Sequence, residues 1–444
     1  MIDFTQKKFG IISLGCDKNR VDSEKLLSII KEGGGKLTDD ISKANVLVVN
    51  TCAFLNESRK EAIETILDCA SYKSGNLEKL VVTGCLPQKY AEETFPSLTE
   101  ADVFLGTNDY DKFFEALDCA YEGRRANFVG CGERPLGAGR VISTPQHYAY
   151  LKIADGCNNR CTYCLIPKIR GKYVSFPVEE LVNEASSLCE ISELILVAQD
   201  VTRYGADIYG QIKIVELLRA LTSLDNILSV RLLYCYPDMI DDALIAEIRD
   251  NPKIIKYVDI PLQHSEDRIL KLMNRKGSRA EYLALINKLR KEIPEIALRS
   301  TFIAGFPTET EDECDALCGF LREAKLFNCG FFAYSREPET AAYNLKGQIS
   351  YSVKRARVKK LYSVQRDISE SILHSFVGKK IKVLCDGIDY ENNRFEGRAY
   401  FNAPDIDGKV YFNSPQATQG EYYDVIITKN DSYDLFGRTE DFQK

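Results

Sequence analysis

The 444-residue sequence lacks any apolar run that approaches the ~20 residues needed to cross a lipid bilayer. Its first eight residues do not show the basic and then apolar order of a signal peptide. Internal repeats and low-complexity segments are also missing, and 45% hydrophobic with 28% charged residues excludes the disordered and fibrous classes. We therefore expect a globular, cytoplasmic protein with no membrane partner.

The sequence also lacks a large excess of either charge, since 58 Lys and Arg residues face 65 Asp and Glu residues, for a net charge of −7. This balance supplies no general attraction to nucleic acid or anionic lipid, although it leaves room for a local basic patch. Histidine is scarce, with three residues, and the sequence shows no Ser/His/Asp constellation. Catalysis by a side-chain nucleophile is therefore not indicated.

Cysteine, by contrast, is abundant, with 15 residues. A chain of this length needs no disulfides to bury a core, and a reducing compartment disfavours them. Heavy cysteine usage in that setting indicates metal binding or redox chemistry. Five cysteines lie in helix-like stretches and are interpreted as packing residues: Cys69, Cys119, Cys189, Cys314 and Cys318.

The hydrophobic pattern predicts an α/β protein of about three domains. In residues 1–135, short apolar strands alternate with helices, which predicts an N-terminal α/β domain with a parallel sheet covered on both faces. Residues 143–376 repeat this unit six times, which predicts a central partial (β/α)6 barrel with functional residues at its strand ends. Residues 377–444 predict a small all-β barrel, and the turn-rich segment Gly130–Pro145 marks the first boundary.

Three cysteines in a C-x3-C-x2-C run, Cys157, Cys161 and Cys164, follow the first strand of the predicted central barrel. Three thiolates this close can ligate three corners of a cubane cluster and leave one iron open to a cofactor or substrate. A tetrahedral zinc site normally needs a fourth nearby Cys or His, and none follows close behind. An iron–sulfur cluster is favoured, with a zinc site or a loop of unligated thiols as the alternatives.

A second set of cysteines, Cys16, Cys52 and Cys85, stands just beyond three predicted strands of the N-terminal domain. Because the carboxyl ends of parallel strands open on one edge of a sheet, these cysteines should converge there. Gly15 and Gly84 precede two of them and permit close approach of the backbone. We predict a second iron–sulfur cluster with one open iron; the alternative is that the strand-end cysteines are incidental.

The C-x3-C-x2-C run, with Tyr163 before its last cysteine, resembles the signature of the radical S-adenosylmethionine (SAM) enzymes. Both cysteine sets and the terminal barrel together resemble the methylthiotransferases of that superfamily across essentially the whole chain. The resemblance implies an auxiliary [4Fe-4S] cluster in the N-terminal domain, a second [4Fe-4S] cluster in a radical SAM core, and a TRAM-like terminal barrel. It also implies SAM as a cofactor, with Tyr163 near the adenine.

Two segments, Gly15–Glu24 and Ile260–Ser265, resemble the branch of the family that modifies a small-subunit ribosomal protein, although Asp17 stands where proline is expected. This implies methylthiolation of an aspartate β-carbon, with two SAM molecules and a flavodoxin- or ferredoxin-like electron donor. Residues 378–444 carry nine Lys and Arg against twelve Asp and Glu, a net of −3, which favours a basic protein over RNA as the partner.

Two other functions stay open. The same chemistry on a tRNA adenosine is the first alternative, since the basic segment 354–360 provides a candidate RNA contact, with a solvated helix face as its simpler interpretation. A non-catalytic iron–sulfur sensor or RNA-binding module is the second, and it would need one cluster and no open iron. Turnover of SAM to 5′-deoxyadenosine separates this second alternative from both enzymes.

Predicted strand ends of the central barrel supply further candidates. By the resemblance, Gln199, Gln263 and Arg299 contact SAM or face the substrate, while a polar residue that satisfies barrel backbone is the alternative for each. Arg299 could instead form a structural ion pair. His264 is a candidate acid or base, or a loop histidine without a part in the mechanism. No residue is assigned as catalytic.

Overall fold

The computed structural model describes residues 2–132 and 139–442, which form two compact units. The first unit comprises the described parts of Met1–Ser143 together with Asp155–Asn159 and Cys164–Val174. The second comprises Thr144–Ala154, Arg160–Tyr163 and the described part of Ser175–Lys444. Residues 133–138, within the predicted boundary segment, lie outside the described residues, and the predicted domain limits stay predictions.

The first unit contains a sheet of six parallel strands in the order β2-β1-β3-β4-β5-β6, which confirms the predicted N-terminal fold. Its strands are β1 (Lys8–Ser13), β2 (Lys36–Leu37), β3 (Val46–Thr51), β4 (Lys79–Gly84), β5 (Val103–Phe104) and β6 (Ala126–Asn127). Its first four helices are α1 (Asp17–Glu32), α2 (Asn56–Ala70), α3 (Cys85–Ser97) and α4 (Phe113–Tyr121). Short 3-10 helices add Ile41–Lys43, Ser71–Ser74 and Tyr110–Lys112.

Strand β3 shows why the sheet is covered on both faces. All six of its residues are buried, so its sequence runs apolar without alternation. Val46 and Val48 belong to one hydrophobic core, while Leu47 and Val49 belong to the other, because successive side chains of a strand point to opposite faces. The strand therefore lies between two layers of packed side chains.

The second unit contains an open sheet of six parallel strands in the order β14-β13-β12-β11-β10-β7, which confirms the partial (β/α)6 barrel. The strands from 148 to 333 are β7 (Tyr148–Lys152), β8 (Ala154–Asp155), β9 (Val174–Ser175), β10 (Glu193–Val197), β11 (Val230–Leu232), β12 (Ile254–Gln263), β13 (Ala297–Ala304) and β14 (Asn328–Ala333). Strands β8 and β9 lie outside this sheet.

Helices follow most of these strands. They are α5 (Ile166–Ile169), α6 (Val178–Ser186), α7 (Ile214–Thr222), α8 (Asp242–Asp250), α9 (Asp267–Leu272), α10 (Arg279–Glu292), α11 (Glu311–Ala324) and α12 (Tyr351–His374). Short 3-10 helices add Val201–Arg203, Pro237–Met239 and Ala341–Asn344. Helix α11 begins with a capping box, in which Thr310 and Glu313 satisfy each other's backbone N–H groups. Among the described residues, no helix is long and apolar enough to cross a membrane.

The C-terminal part of the second unit is a closed five-stranded barrel in the order β15-β16-β17-β19-β18, which confirms the predicted all-β module. Its strands are β15 (Lys380–Asp389), β16 (Arg394–Arg398), β17 (Val410–Asn413), β18 (Tyr422–Asn430) and β19 (Leu435–Thr439). The sequence pattern predicts strands at residues 382–385, 394–399, 410–412 and 422–427, which overlap β15 to β18. It misses β19, whose short Leu-Phe-Gly-Arg-Thr run lacks a long apolar pattern.

A buried ionic network connects this barrel to the six-stranded sheet of the second unit, which contains β10 and β11. Glu193 on β10 accepts hydrogen bonds from Arg231 on β11 and from Arg398 on β16, the latter at 2.6 Å. Arg398 also pairs with Asp386 at 2.8 Å, and His147 lies 2.7 Å from the other oxygen of that carboxylate. Burial alone would raise the pKa of Glu193, but the two guanidinium groups lower it below its ordinary value.

We expect Glu193→Gln to lower the free energy of unfolding by about 3–5 kcal/mol, because it leaves two buried guanidinium groups without their shared carboxylate. Since the chain has no tryptophan, urea unfolding would be followed by far-ultraviolet circular dichroism. The matched control is Glu190→Gln, which changes an exposed glutamate nearby. Equal stability of the two variants would contradict a stabilising role for the network.

Candidate functional site

Cys16, Cys52 and Cys85, here called the strand-end trio, follow the neighbouring strands β1, β3 and β4. The structure brings them together in the first unit. The Sγ atoms of Cys16 and Cys85 lie 3.9 Å and 3.8 Å from the same acceptor, Asn19 Oδ1. A Cβ atom placed on Gly15, whose φ is +92°, would lie 2.7 Å from Cys52 Cβ, so a larger residue there would collide with Cys52.

Asn19 fixes the backbone on which two of these cysteines stand. Its Nδ2 atom donates to the carbonyl of Leu14 at 3.0 Å and to that of Thr51 at 3.0 Å. Thr51 directly precedes Cys52, and Leu14 lies two residues before Cys16. One buried amide therefore holds the two loops in register, while its oxygen faces the thiols.

Arg170 is a further residue of this site, and the sequence analysis did not single it out. Its Nη2 atom donates to Cys85 Sγ at 3.7 Å and to Asn19 Oδ1 at 2.5 Å. Burial by itself would lower the pKa of Arg170, but Asp155, Cys85 and Asp22 raise it well above its ordinary value. The guanidinium is thus a permanent positive charge beside the trio.

The environment of Cys52 and Cys85 favours the neutral form of both thiols. Burial raises the pKa of Cys85 to about 11, although Arg170 acts in the opposite direction. Burial also raises the pKa of Cys52 above its ordinary value. Because a metal binds the thiolate, iron binding here would release protons, and the donor set is suited to a soft, sulfur-ligated group.

The second set of candidate ligands, here called the loop trio, consists of Cys157, Cys161 and Cys164. Cys157 and Cys164 belong to the first unit, and Cys161 belongs to the second. In the first unit, the backbone N–H of Asn159 donates to Cys157 Sγ and that of Ile166 donates to Cys164 Sγ, both at 3.4 Å. Hydrogen bonds to sulfur are among the features that set the reduction potential of an iron–sulfur cluster.

In the second unit, Cys161 has two polar neighbours that the sequence analysis did not single out. Its Sγ atom lies 3.7 Å from the hydroxyl of Tyr236, and Arg275 Nη1 donates to it at 3.9 Å. The Arg275 guanidinium lies over the Tyr236 ring at 4.2 Å and donates to the carbonyl of Pro261 at 2.5 Å. Both contacts bridge more than 70 residues of sequence, so no local pattern could reveal them.

Tyr163 packs against a hydrophobic cluster of the second unit. The buried residues of this cluster are Ile269, Met273, Phe306, Tyr334 and Ala342. The neighbouring residue Thr162 fixes its backbone, with Thr162 N donating to Met273 O at 3.0 Å and Thr162 O accepting from Ala342 N at 2.8 Å. The ring is half-buried, and its contact with adenine stays a prediction.

The three cofactor-binding candidates of the central barrel lie at different positions along their strands. Gln199 lies two residues beyond β10, and Gln263 is the last residue of β12, with a φ of +74°. Arg299 is the third residue of β13 and pairs with Asp259 at 2.9 Å and with Asp407 at 3.3 Å. The structure thus shows the ion pair that the sequence left as the alternative for Arg299, while cofactor contacts of all three residues stay predictions.

His264 is fully buried and directly follows β12. Its Nδ1 atom accepts from the backbone N–H of Glu266 at 3.0 Å, which places the proton on Nε2, 3.5 Å from Glu309 Oε2. Glu309 also accepts from Gly305 N at 2.8 Å and from Arg357 at 2.9 Å. Among the described residues the buried Nε2 atom has no hydrogen-bond partner, so the part of His264 in the mechanism stays a prediction.

The cysteines interpreted as packing residues divide into two groups. Cys69, Cys314 and Cys318 are buried in helices, and Cys119 is half-buried in α4. The interpretation is wrong for Cys189, which is exposed because α6 ends at Ser186 before reaching it.

Within the part of the chain that the structure describes, no three Cys, His, Asp or Glu side chains converge on a single metal ion. A cubane does not require this, because each thiolate ligates a different iron.

Family models match three parts of the chain: the radical SAM superfamily over residues 151–321, the uncharacterized protein family UPF0004 over residues 8–106, and the TRAM domain over residues 377–439. The fold is similar to that of the radical SAM methyltransferase TsrM from Kitasatospora setae, with a TM-score of 0.57, 14% identity and coverage of 76% of each chain. It is also similar to the cobalamin-dependent SAM radical enzyme OxsB, with a TM-score of 0.50, 11% identity, and coverage of 81% of this chain and 56% of that chain.

The fold and the cysteine motif therefore define a radical SAM enzyme, a class that uses SAM and [4Fe-4S] clusters. The sequence is 45% identical to the ribosomal protein uS12 methylthiotransferase RimO of Lachnoclostridium phytofermentans, over 98% of this chain and 100% of that protein. It is 44% identical to RimO of Clostridium tetani, over 98% of each. The chain belongs to the RimO family of methylthiotransferases.

We expect Cys161→Ala to abolish 5′-deoxyadenosine formation from SAM, because it removes one of the three thiolates predicted to hold the cluster of the loop trio. This thiolate is the one that Arg275 and Tyr236 contact. Iron bound at the strand-end trio should be retained. The measurement is chromatography of the products of the reduced, reconstituted protein, together with iron analysis. Cys189→Ala, which changes an exposed cysteine of the same unit, is the control and should behave as the unsubstituted chain. Deoxyadenosine formation by the Cys161 variant would refute this assignment.

For a variant of the strand-end trio we expect the opposite result, with methylthio transfer lost and 5′-deoxyadenosine formation retained. Cys52→Ala should stop methylthio transfer and leave 5′-deoxyadenosine formation in place, because the loop trio is intact. Mass spectrometry of the protein substrate and chromatography of the nucleoside report the two activities separately. Cys119→Ala, at a half-buried cysteine of the same unit, should retain both. Intact methylthio transfer by the Cys52 variant would show that one cluster suffices.

Proposed function

We propose that this chain transfers a methylthio group to the β-carbon of an aspartate in ribosomal protein uS12, with each cysteine trio holding one [4Fe-4S] cluster. The observation that carries the proposal is the convergence of the strand-end trio in a chain that belongs to the RimO family. When bound, the clusters and SAM would supply a carbon-centred radical and the sulfur for transfer. The spacing of the loop trio in the sequence supports a single cluster on its three thiolates.

The chain's own residues would orient and shield these groups. Arg275 and Tyr236 hold the Cys161 side chain, and Asn19 holds the loops of the strand-end trio. We propose that Tyr163, Gln199 and Gln263 contact SAM. Arg299 is the weakest of the cofactor-binding candidates, because two carboxylates already compensate its charge.

The second candidate function is the same transfer to a tRNA adenosine, which the TRAM match keeps open. Helix α12 argues against it as a large RNA-binding surface. Arg357 is buried against Glu309, and Lys360 pairs with Glu311 at 2.9 Å and with Asp315 at 2.5 Å. Two of the five basic residues of segment 354–360 are therefore compensated by carboxylates within the protein. The net acidity of residues 378–444 favours a basic protein partner.

We also propose a low-potential electron donor of flavodoxin or ferredoxin type, because reductive cleavage of SAM needs electrons that the chain does not generate. A ribosomal substrate implies a cytoplasmic location.

The test compares intact ribosomal proteins and tRNA nucleosides from cells with and without the gene. We expect the mass of uS12 to fall by one methylthio group in its absence, with hydrogen in its place, while the tRNA nucleosides stay unchanged. Fragmentation of uS12 then locates the modified residue. Loss of a methylthioadenosine signal with unchanged uS12 would transfer the proposal to tRNA.

A further inference from the structure

Arg170 is a buried cation to which the proposed function gives no part, although it lies against the strand-end trio. Its side chain is 2% exposed. One edge of the guanidinium faces the trio, with Nη2 donating to Cys85 Sγ and Asn19 Oδ1. On the other edge, Nη1 donates to Asp22 Oδ2 at 2.7 Å and to Asp155 Oδ2 at 3.0 Å. Two carboxylates therefore fix the group while it points a donor at sulfur.

Burial of the Arg170 guanidinium lets its positive charge act strongly on the nearby sulfur. An arginine stays protonated in proteins, and its planar fork loses less freedom per hydrogen bond than a lysine would. Because the group is buried, its field on the nearby sulfur is weakly screened by solvent and salt. Cys85 is itself buried, so its thiolate would be costly without a positive partner.

We propose that Arg170 positions Cys85 and raises the reduction potential of the cluster held by the strand-end trio. The inference rests on the proposed function, because it requires a cluster at that trio. Net charge and hydrogen bonds to sulfur set the potentials of iron–sulfur clusters, and a positive charge favours the reduced, more negative form. The step concerned is a one-electron reduction by an external low-potential donor, in which no bond forms or breaks.

The chain connects this residue directly to the loop trio. Arg170 follows Cys164 by six residues, and helix α5 lies between them. Leu165 and Ile169 pack into the same hydrophobic core as Leu86, which directly follows Cys85. Arg170 thus holds the segment that follows Cys164 against the strand-end trio. Replacement of Arg170 should therefore affect retention of the cluster as well as its reduction potential.

The test uses the full-length chain with Cys157, Cys161 and Cys164 replaced by alanine, so that the strand-end trio holds the remaining cluster. The midpoint potential is measured by a redox titration followed by electron paramagnetic resonance. In this protein Arg170→Met should shift the one-electron equilibrium about tenfold toward the oxidised form, which corresponds to about 59 mV downward. Arg170→Lys keeps the charge and should shift it less.

Asp22→Asn is the matched variant of opposite sign. It removes a negative charge next to Arg170 and should raise the midpoint potential, whereas a purely structural role would give cluster loss with no ordered change of potential. If Arg170→Met does not retain iron, Asp22→Asn and Arg170→Lys decide. Equal potentials in all retained clusters would overturn the inference and leave the proposed function standing. Absence of any cluster in the reference protein would contradict both.

Discussion

The carboxyl ends of parallel strands meet at one edge of a sheet, and this constraint determines where each unit can place its chemistry. In the first unit it brings Cys16, Cys52 and Cys85 to the ends of three neighbouring strands, although long stretches of sequence separate them. In the second unit it places Gln199 just after β10 and Gln263 at the last position of β12. The strands of the first unit are held by apolar burial on both faces, and the three cysteines lie just beyond their carboxyl ends.

Each cysteine trio includes one thiol that faces a buried arginine, Arg170 beside Cys85 and Arg275 beside Cys161. Both guanidinium groups are held by further acceptors, carboxylates for Arg170 and a backbone carbonyl for Arg275. Thiolates that hold a cluster in a dry site carry negative charge, and a fixed cation lowers the cost of burying them. The same device therefore serves two sites that share no sequence motif.

Burial explains which parts of the molecule could be predicted from sequence. Strands such as β3 and β10 are buried along their whole length, so their apolar runs mark them clearly, whereas two-residue strands such as β2 and β6 leave no pattern. Helix α1 begins at Asp17, six residues before the amphipathic stretch that the sequence pattern predicts from Ser23 to Lys31, because its first turns are polar and buried by tertiary contacts. The cysteines could be found from position and spacing. Arg170 and Arg275 could not, because contacts with distant residues define them.

We infer that the chain holds two separate clusters, each on three cysteines. Anomalous diffraction at the iron absorption edge, from crystals of the anaerobically reconstituted chain, would locate the iron. We expect two groups of iron peaks, one bounded by Cys16, Cys52 and Cys85 and the other by Cys157, Cys161 and Cys164. A fully reconstituted enzyme, active in methylthio transfer, with iron at one trio alone would contradict it.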